Sequence, residues 1–266
     1  MTSRTRIFIT VMFVMAFVLS ACGVSYNTVF ITPPNYGIVV NLNDPSSQAT
    51  SNDLDGGTLM NVSQQTVTMK RCVTTFAATD RCPDVMVVEV PGAFVTRIYT
   101  AEENSGTSDT KQSLCFEASG ANGCVDFTVT GQVLKDAAKC YANKVGINPV
   151  GEGDEARYHF KAISLEDTMD NRVIGVTSGI FSIKVATKSP LTMALDKYTL
   201  FEEIKADIVK TVYDQTCITI DPVNMYISNG ILWSDPVIQD QINQATVIAN
   251  QLELLKAKNY LLKQQT

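Results

Sequence analysis

The hydrophobic residues of this chain change period about halfway along it, and that change limits the folds open to it. In the first half they alternate. Leu59, Val62 and Val67 stand among Thr, Ser and Gln over 58–70. Val85-Met86-Val87-Val88-Glu89-Val90 is a stronger strand signal, stopped by Pro91-Gly92, and 93–100 keep strand composition. Residues 124–133 (CVDFTVTGQV) alternate with period two, as a half-buried strand does. From Asp136 the spacing becomes helical. Asp136 to Val145 predicts a short helix, and Ser164 is placed to cap another starting at Leu165. Ser189-Pro190 is a further start signal, with proline at the first helical position. Thr199-Leu200-Phe201-Glu202 has the form of a capping box, so the clearest internal helix is expected to begin there. Phe201, Ile204, Ile208 and Val212 form its apolar stripe. A strand is expected over 217–227, with a bulge or an edge at Asp221-Pro222 where the alternation changes parity. The fold class expected is α+β: a strand-rich N-terminal half, helices packed on a mixed sheet, and a long C-terminal helix.

That last helix is the plainest element. Asp235 suits the N-cap, Pro236 the first turn, and no glycine or further proline interrupts Val237 to Lys263. Roughly 27 residues at 1.5 Å each give about 40 Å. Ile238, Ala245, Leu252 and Asn259 repeat at one heptad position, and Gln241, Ile248, Leu255 and Leu262 at another. This is an a/d seam, best from Ala245 onward. Ala245, Ile248, Leu252, Leu255, Asn259 and Leu262 are therefore the expected oligomerisation residues, Asn259 being placed to fix register. The alternative is an amphipathic helix folded back on its own domain.

The N-terminus reads as an export signal. Arg4 and Arg6 precede an apolar run from Ile7 to Leu19, and Leu19-Ser20-Ala21-Cys22 follows. Small residues before a cysteine suit a signal peptidase. The tetrad resembles the bacterial lipobox, in which the cysteine thiol is acylated and the chain is cut before it. Residues 1–21 are then a lipoprotein signal peptide, Cys22 the lipidation site and 22–32 a tether. The rival is an uncleaved signal anchor, although the run is short against the roughly 20 residues a bilayer core needs. Both place the bulk of the chain outside the cytoplasm.

Six cysteines follow Cys22. An even number in an exported chain suggests disulfides. Cys115 and Cys124 flank the turn-rich Ser119-Gly120-Ala121-Asn122-Gly123 and are placed to face each other across a hairpin. Cys72 and Cys82 bracket a loop, which leaves Cys140 with Cys217. The rivals are buried free thiols or a metal site. With no CxxC spacing and His159 as the single histidine, zinc is not expected.

Charge removes other classes. The chain carries net charge −6; without the two arginines of its first 22 residues, 19 basic groups face 27 acidic ones, a net of −8. Nucleic acid needs a basic face, and broad adhesion to anionic lipid needs the same sign, so membrane attachment falls to the anchor. No catalytic constellation is legible. Any Ser-His or Cys-His site must use His159, which lies in the strand-like Arg157-Tyr158-His159-Phe160 and reads as a satisfied core or surface histidine. Glu152, Asp154 and Glu155 read as a solvated acidic loop, and Asp53-Leu54-Asp55-Gly56-Gly57 lacks the later carboxylates of a calcium loop. No phosphate-cradling glycine loop is present, and no cofactor is expected.

The order of elements resembles the SPFH or band 7 family, that of stomatin, prohibitin and flotillin. Pro33-Pro34-Asn35-Tyr36-Gly37-Ile38-Val39-Val40 looks like its opening strand. Val125 to Val129, then Asp136 to Tyr141 and Gly146, look like its central strand and short helix. Phe201-Glu202-Glu203-Ile204 to Thr216, the strand 217–227 and Ile231-Leu232-Trp233-Ser234-Asp235-Pro236 look like its helix, last strand and the approach to its long helix. The likeness covers roughly 33–262 and implies a domain over 33–234 followed by the helix of 235–266. Family members are usually anchored by a hydrophobic segment rather than a lipobox, the cysteines are atypical, and 182–198 looks inserted. What the resemblance implies is a membrane-bound scaffold that assembles laterally as a homo-oligomer and encloses membrane proteins such as a protease. With the lipobox, it is expected in a bacterial envelope, facing the periplasm, with the inner membrane preferred over the outer. The rival function is a monomeric envelope lipoprotein that binds a ligand or another protein.

Overall fold

A computed structural model describes residues 26–41, 54, 57–59, 66–70, 85–100, 113–153 and 155–264. Cys22, Cys72 and Cys82 lie outside the described residues, as do the signal segment, the loop 102–111, Asp53, Asp55, Gly56 and Asp154. The chain divides into two compact units, Met1–Glu89 with Ile147–Lys161, and Val90–Gly146 with Ala162–Thr266.

The first unit is built from strands. β1 (Tyr26–Phe30) pairs antiparallel with β4 (Thr66–Lys70). β2 (Tyr36–Asn41), β3 (Thr58–Leu59), β5 (Val85–Val90), β9 (Ile147–Pro149) and β10 (His159–Ala162) form a second sheet in the order β3-β2-β5-β10-β9. It is mixed: β10 runs parallel to β5, and β3 antiparallel to β2. β5 is buried along almost its whole length, which explains why it reads as a continuous apolar run rather than an alternating one.

The second unit is organised around β8 (Ala121–Gln132), twelve residues long. β6 (Val95–Tyr99) and β7 (Leu114–Ala118) pair with it, as do β11 (Thr219–Ile220) and β12 (Tyr226–Trp233), all antiparallel. β7 and β8 form a hairpin whose turn is Ser119-Gly120, both at positive φ (49° and 80°). A two-residue turn of that kind matches the twist of its strands. Ala121-Asn122-Gly123, expected in the turn, already belong to the strand.

The helices are α1 (Ala138–Val145), α2 (Leu165–Thr168), α3 (Ile174–Val185), α4 (Pro190–Thr216) and α5 (Pro236–Gln264). A single π turn, Met169–Val173, joins α2 to α3. Ser164 caps α2 by accepting from the Asp167 amide at 3.0 Å. Phe127, Phe181 and Phe201 meet in the core, with ring centroids 5.9 and 6.2 Å apart.

Two expectations need correction. Helix α4 does not begin at Thr199. It is already under way from Pro190, capped by Ser189, which accepts from the Thr192 amide at 3.2 Å. A Ser/Thr followed three residues later by Glu also occurs inside helices, and Leu191 to Tyr198 contain no breaker. The stretch 182–198 is thus the end of α3, a turn and the start of α4. The strand expected over 217–227 is instead broken: β11 covers only Thr219–Ile220, and β12 begins at Tyr226 and runs on to Trp233. Asp221 folds its carboxylate back onto the Val223 amide at 2.9 Å and closes a turn between β11 and β12. The register shift in the β12–β8 pairing falls later, on β12 between Ser228 and Leu232.

Candidate assembly interface

The site residues that lie among the described ones are the paired cysteines and the face of α5. Cys115 and Cys124 stand directly opposite each other in the β7–β8 register, with Cα atoms 4.1 Å apart, and are disulfide-bonded. Cys140 on α1 is bonded to Cys217, with Cα atoms 5.9 Å apart. Cys217 ends α4 in the left-handed conformation at φ 59°, its amide donating to the Tyr213 carbonyl at 2.7 Å. This bridge fixes the end of α4 to α1.

α5 starts where the sequence places it. The Asp235 carboxylate accepts from the Val237 amide at 2.8 Å, and the Gln239 side chain accepts from the Trp233 amide at 2.9 Å. Trp233 is buried edge-on to Phe116, 5.9 Å between centroids. The first turns pack against α4 and β12, and Ile242 is only 7 % exposed. Beyond Ala245, which is half-buried, the helix turns outward. Ile248, Leu252, Leu255 and Leu262 are 61, 51, 59 and 54 % exposed, and Asn259 is exposed too. Val247, Leu254 and Leu261 form a second exposed apolar row, about 100° round the helix from Ile248, Leu255 and Leu262, with Gln244, Gln251 and Lys258 between the two. Single exposed leucines are ordinary, whereas a contiguous run of them along a helix marks an interaction surface.

The seam does not stop where the exposed turns begin. Ile238, Gln241 and Ala245 form one wall of a groove of about 400 Å³. The other walls are the β7–β8 turn, Ser119 to Ala121, and the start of α4, Ser189 to Leu191. Two contacts hold these walls together: the Ser119 amide donates to the Ala186 carbonyl and its hydroxyl to the Lys188 carbonyl, both at 2.9 Å. Heptad counting assigned 238 and 241 to the seam; the groove beside them is assembled from residues far apart in sequence.

Two buried polar clusters are structural in geometry. In the first unit Glu89 accepts from Asn35 at 2.7 Å, while Lys161 lies 3.3 Å and His159 3.7 Å away. His159 also lies 3.3 Å from Glu155, so this buried histidine is held between two carboxylates. In the second unit Arg97 and Asp170 form a buried ion pair at 3.0 Å. Burial, then the negative charge of Asp170, push the nearby Tyr99 phenol well above its ordinary range. The π turn carries Asp170 into this position, a placement with no signature in the sequence. Among the described residues no three His, Cys, Asp or Glu side chains gather as metal ligands, and no helix is long and apolar enough to cross a membrane.

No protein-family model matches the chain. No curated protein matches it in sequence.

Proposed function

We propose that this protein is a lipid-anchored oligomeric scaffold of the SPFH or band 7 kind, which organises membrane or regulates membrane-protein partners such as a protease. Lipid on Cys22 holds each copy at the surface of a bacterial envelope membrane, facing the periplasm, and α5 joins the copies. The observation that carries this reading is the apolar seam of α5, exposed over about four turns on a helix otherwise well capped and seated. A helix of this kind is marginal alone in water and gains most of its stability from packing. Confinement to a plane raises the effective concentration for such contacts. The two disulfides support an oxidising compartment, since such bonds are rare in the cytosol.

The test is the mass of the full-length protein in detergent. An oligomer at micromolar concentration, reduced to monomers by truncation at Asp235, is the expected result. A monomer at that concentration sinks the proposal. The anchor is tested separately: Cys22→Ser should abolish lipid labelling and release the protein from membranes.

A further inference from the structure

We infer that α5 pairs with α5 of a second copy antiparallel, about a two-fold axis at Asn250. This rests on the reading of α5 as the assembly element and goes beyond it, because that reading leaves the direction of pairing open.

The seam residues match in layers when the helix is turned end for end. Ile238 meets Leu262 of the other copy, and Ile248 meets Leu252. Ala245 meets Leu255, a small side chain against a large one, as close-packed layers favour. The two polar seam residues, Gln241 and Asn259, fall opposite each other, so each amide gains a hydrogen-bonding partner where the interface closes. Every seam residue from 238 to 262 is used, and the pattern is self-complementary, as a two-fold interface requires.

Charge selects the same direction. A parallel pair sets Lys258 of each copy beside Lys263 of the other, two like-charge contacts flanking the seam. The antiparallel pair sets Lys258 beside Gln244, and Lys256 and Lys263 beside Ala249 and Ile242. The nearest lysines of the two copies are then about 18 Å apart along the axis at 1.5 Å per residue, beyond a Debye length of about 8–10 Å. Shape agrees as well. Leu262 of the second copy arrives level with Ile238, at the groove of about 400 Å³ between the β7–β8 turn and the start of α4.

A benzophenone photo-crosslinker placed at position 262 of the full-length, detergent-solubilised protein tests this. Residues 238 and 262 of one helix are about 36 Å apart, so a link between them joins two copies. The expected product links 262 to the 236–242 segment or to the β7–β8 turn. A link to 258–264 of another copy overturns the antiparallel pairing and leaves the scaffold reading standing. A monomer with no link between copies overturns both. Lys258→Glu gives an independent reading. Dimer affinity is expected to stay within about twofold, whereas tightening by about tenfold, as a new pairing with Lys263 in a parallel coil produces, overturns the inference.

Discussion

Helices α4 and α5 are almost the same length, 27 and 29 residues, yet they use their apolar side chains in opposite ways. α4 buries Met193, Leu200, Phe201, Ile204, Ile208 and Val212, each at most 6 % exposed. Those residues recur at helical spacing and face the sheet side of the unit, so the helix is stabilised by its own chain. It is fastened at both ends, by Ser189 at the start and by the Cys217 bridge at the finish. α5 is fastened at its start by Asp235 and Gln239, and its leucines beyond Ala245 face outward. The difference separates a helix that completes a core from a helix that offers one. Periodicity alone does not make that separation, because both sequences carry apolar residues at three- and four-residue spacing.

The largest effect expected from breaking this contrast is at the bridge that ends α4. Cys140 and Cys217 are 77 residues apart in sequence, and Cys115 and Cys124 only 9. In the chain-entropy model, loss of the longer closure costs about 4.5 kcal/mol and of the shorter about 2.6 kcal/mol. Urea unfolding of Cys140→Ser/Cys217→Ser against Cys115→Ser/Cys124→Ser checks the order. Equal losses would mean that the bridge does not hold α4 through the unfolded-state loop.

A matched pair of substitutions puts the contrast directly. Leu200→Ala removes a buried side chain from α4 and should cost about 3 kcal/mol, the lost transfer energy plus the cavity left behind. Leu255→Ala removes the same atoms from an exposed site on α5. It should change the unfolding free energy of the monomer by less than about 0.5 kcal/mol while weakening self-association. Unfolding curves and sedimentation on the same two variants read both quantities. If Leu255→Ala destabilises the monomer as much as Leu200→Ala, α5 folds back onto its own chain.

How much of this was legible beforehand follows a physical line. Whatever depends on neighbours in sequence could be read: the alternation of β8, the buried stripe of α4 from Phe201 to Val212, the caps at Ser164, Ser189 and Asp235, and the hairpin pair Cys115–Cys124. Features set by distant contacts could not. The Thr199 pattern reads as a start because a capping box and a mid-helix Thr-x-x-Glu look alike until the preceding turn is known to be helical. The Cys140–Cys217 pairing came only as the remainder after two local pairs. The Arg97–Asp170 ion pair depends on a π turn, and the groove beside Ile238 needs the β7–β8 turn and α4 to meet there. The heptad of α5 was legible because it is local; that its face lies outward is a tertiary fact.

The smallest effect concerns the ground on which α4 rests. Tyr141 on α1 is fully buried, and its hydroxyl donates to the Ile163 carbonyl at 2.8 Å and lies 2.9 Å from the Thr168 hydroxyl. Burial, which disfavours the phenolate, pushes its pKa up from 10.0 to about 12; the Thr168 hydrogen bond opposes this. The folded value is thus raised above the unfolded one, so the unfolded state gives up its proton first as pH rises. Stability is fully present below about pH 10 and is lost as pH climbs toward about 12, by roughly 2–3 kcal/mol from this group. Tyr99 shifts in the same direction and adds to the loss. Tyr141→Phe gives up hydrogen bonds worth about 1 kcal/mol at neutral pH, but should flatten the fall between pH 10 and 12. Urea midpoints of the two proteins across that range decide it. Parallel curves would mean that the phenol ionises as easily in the folded protein as in the unfolded chain.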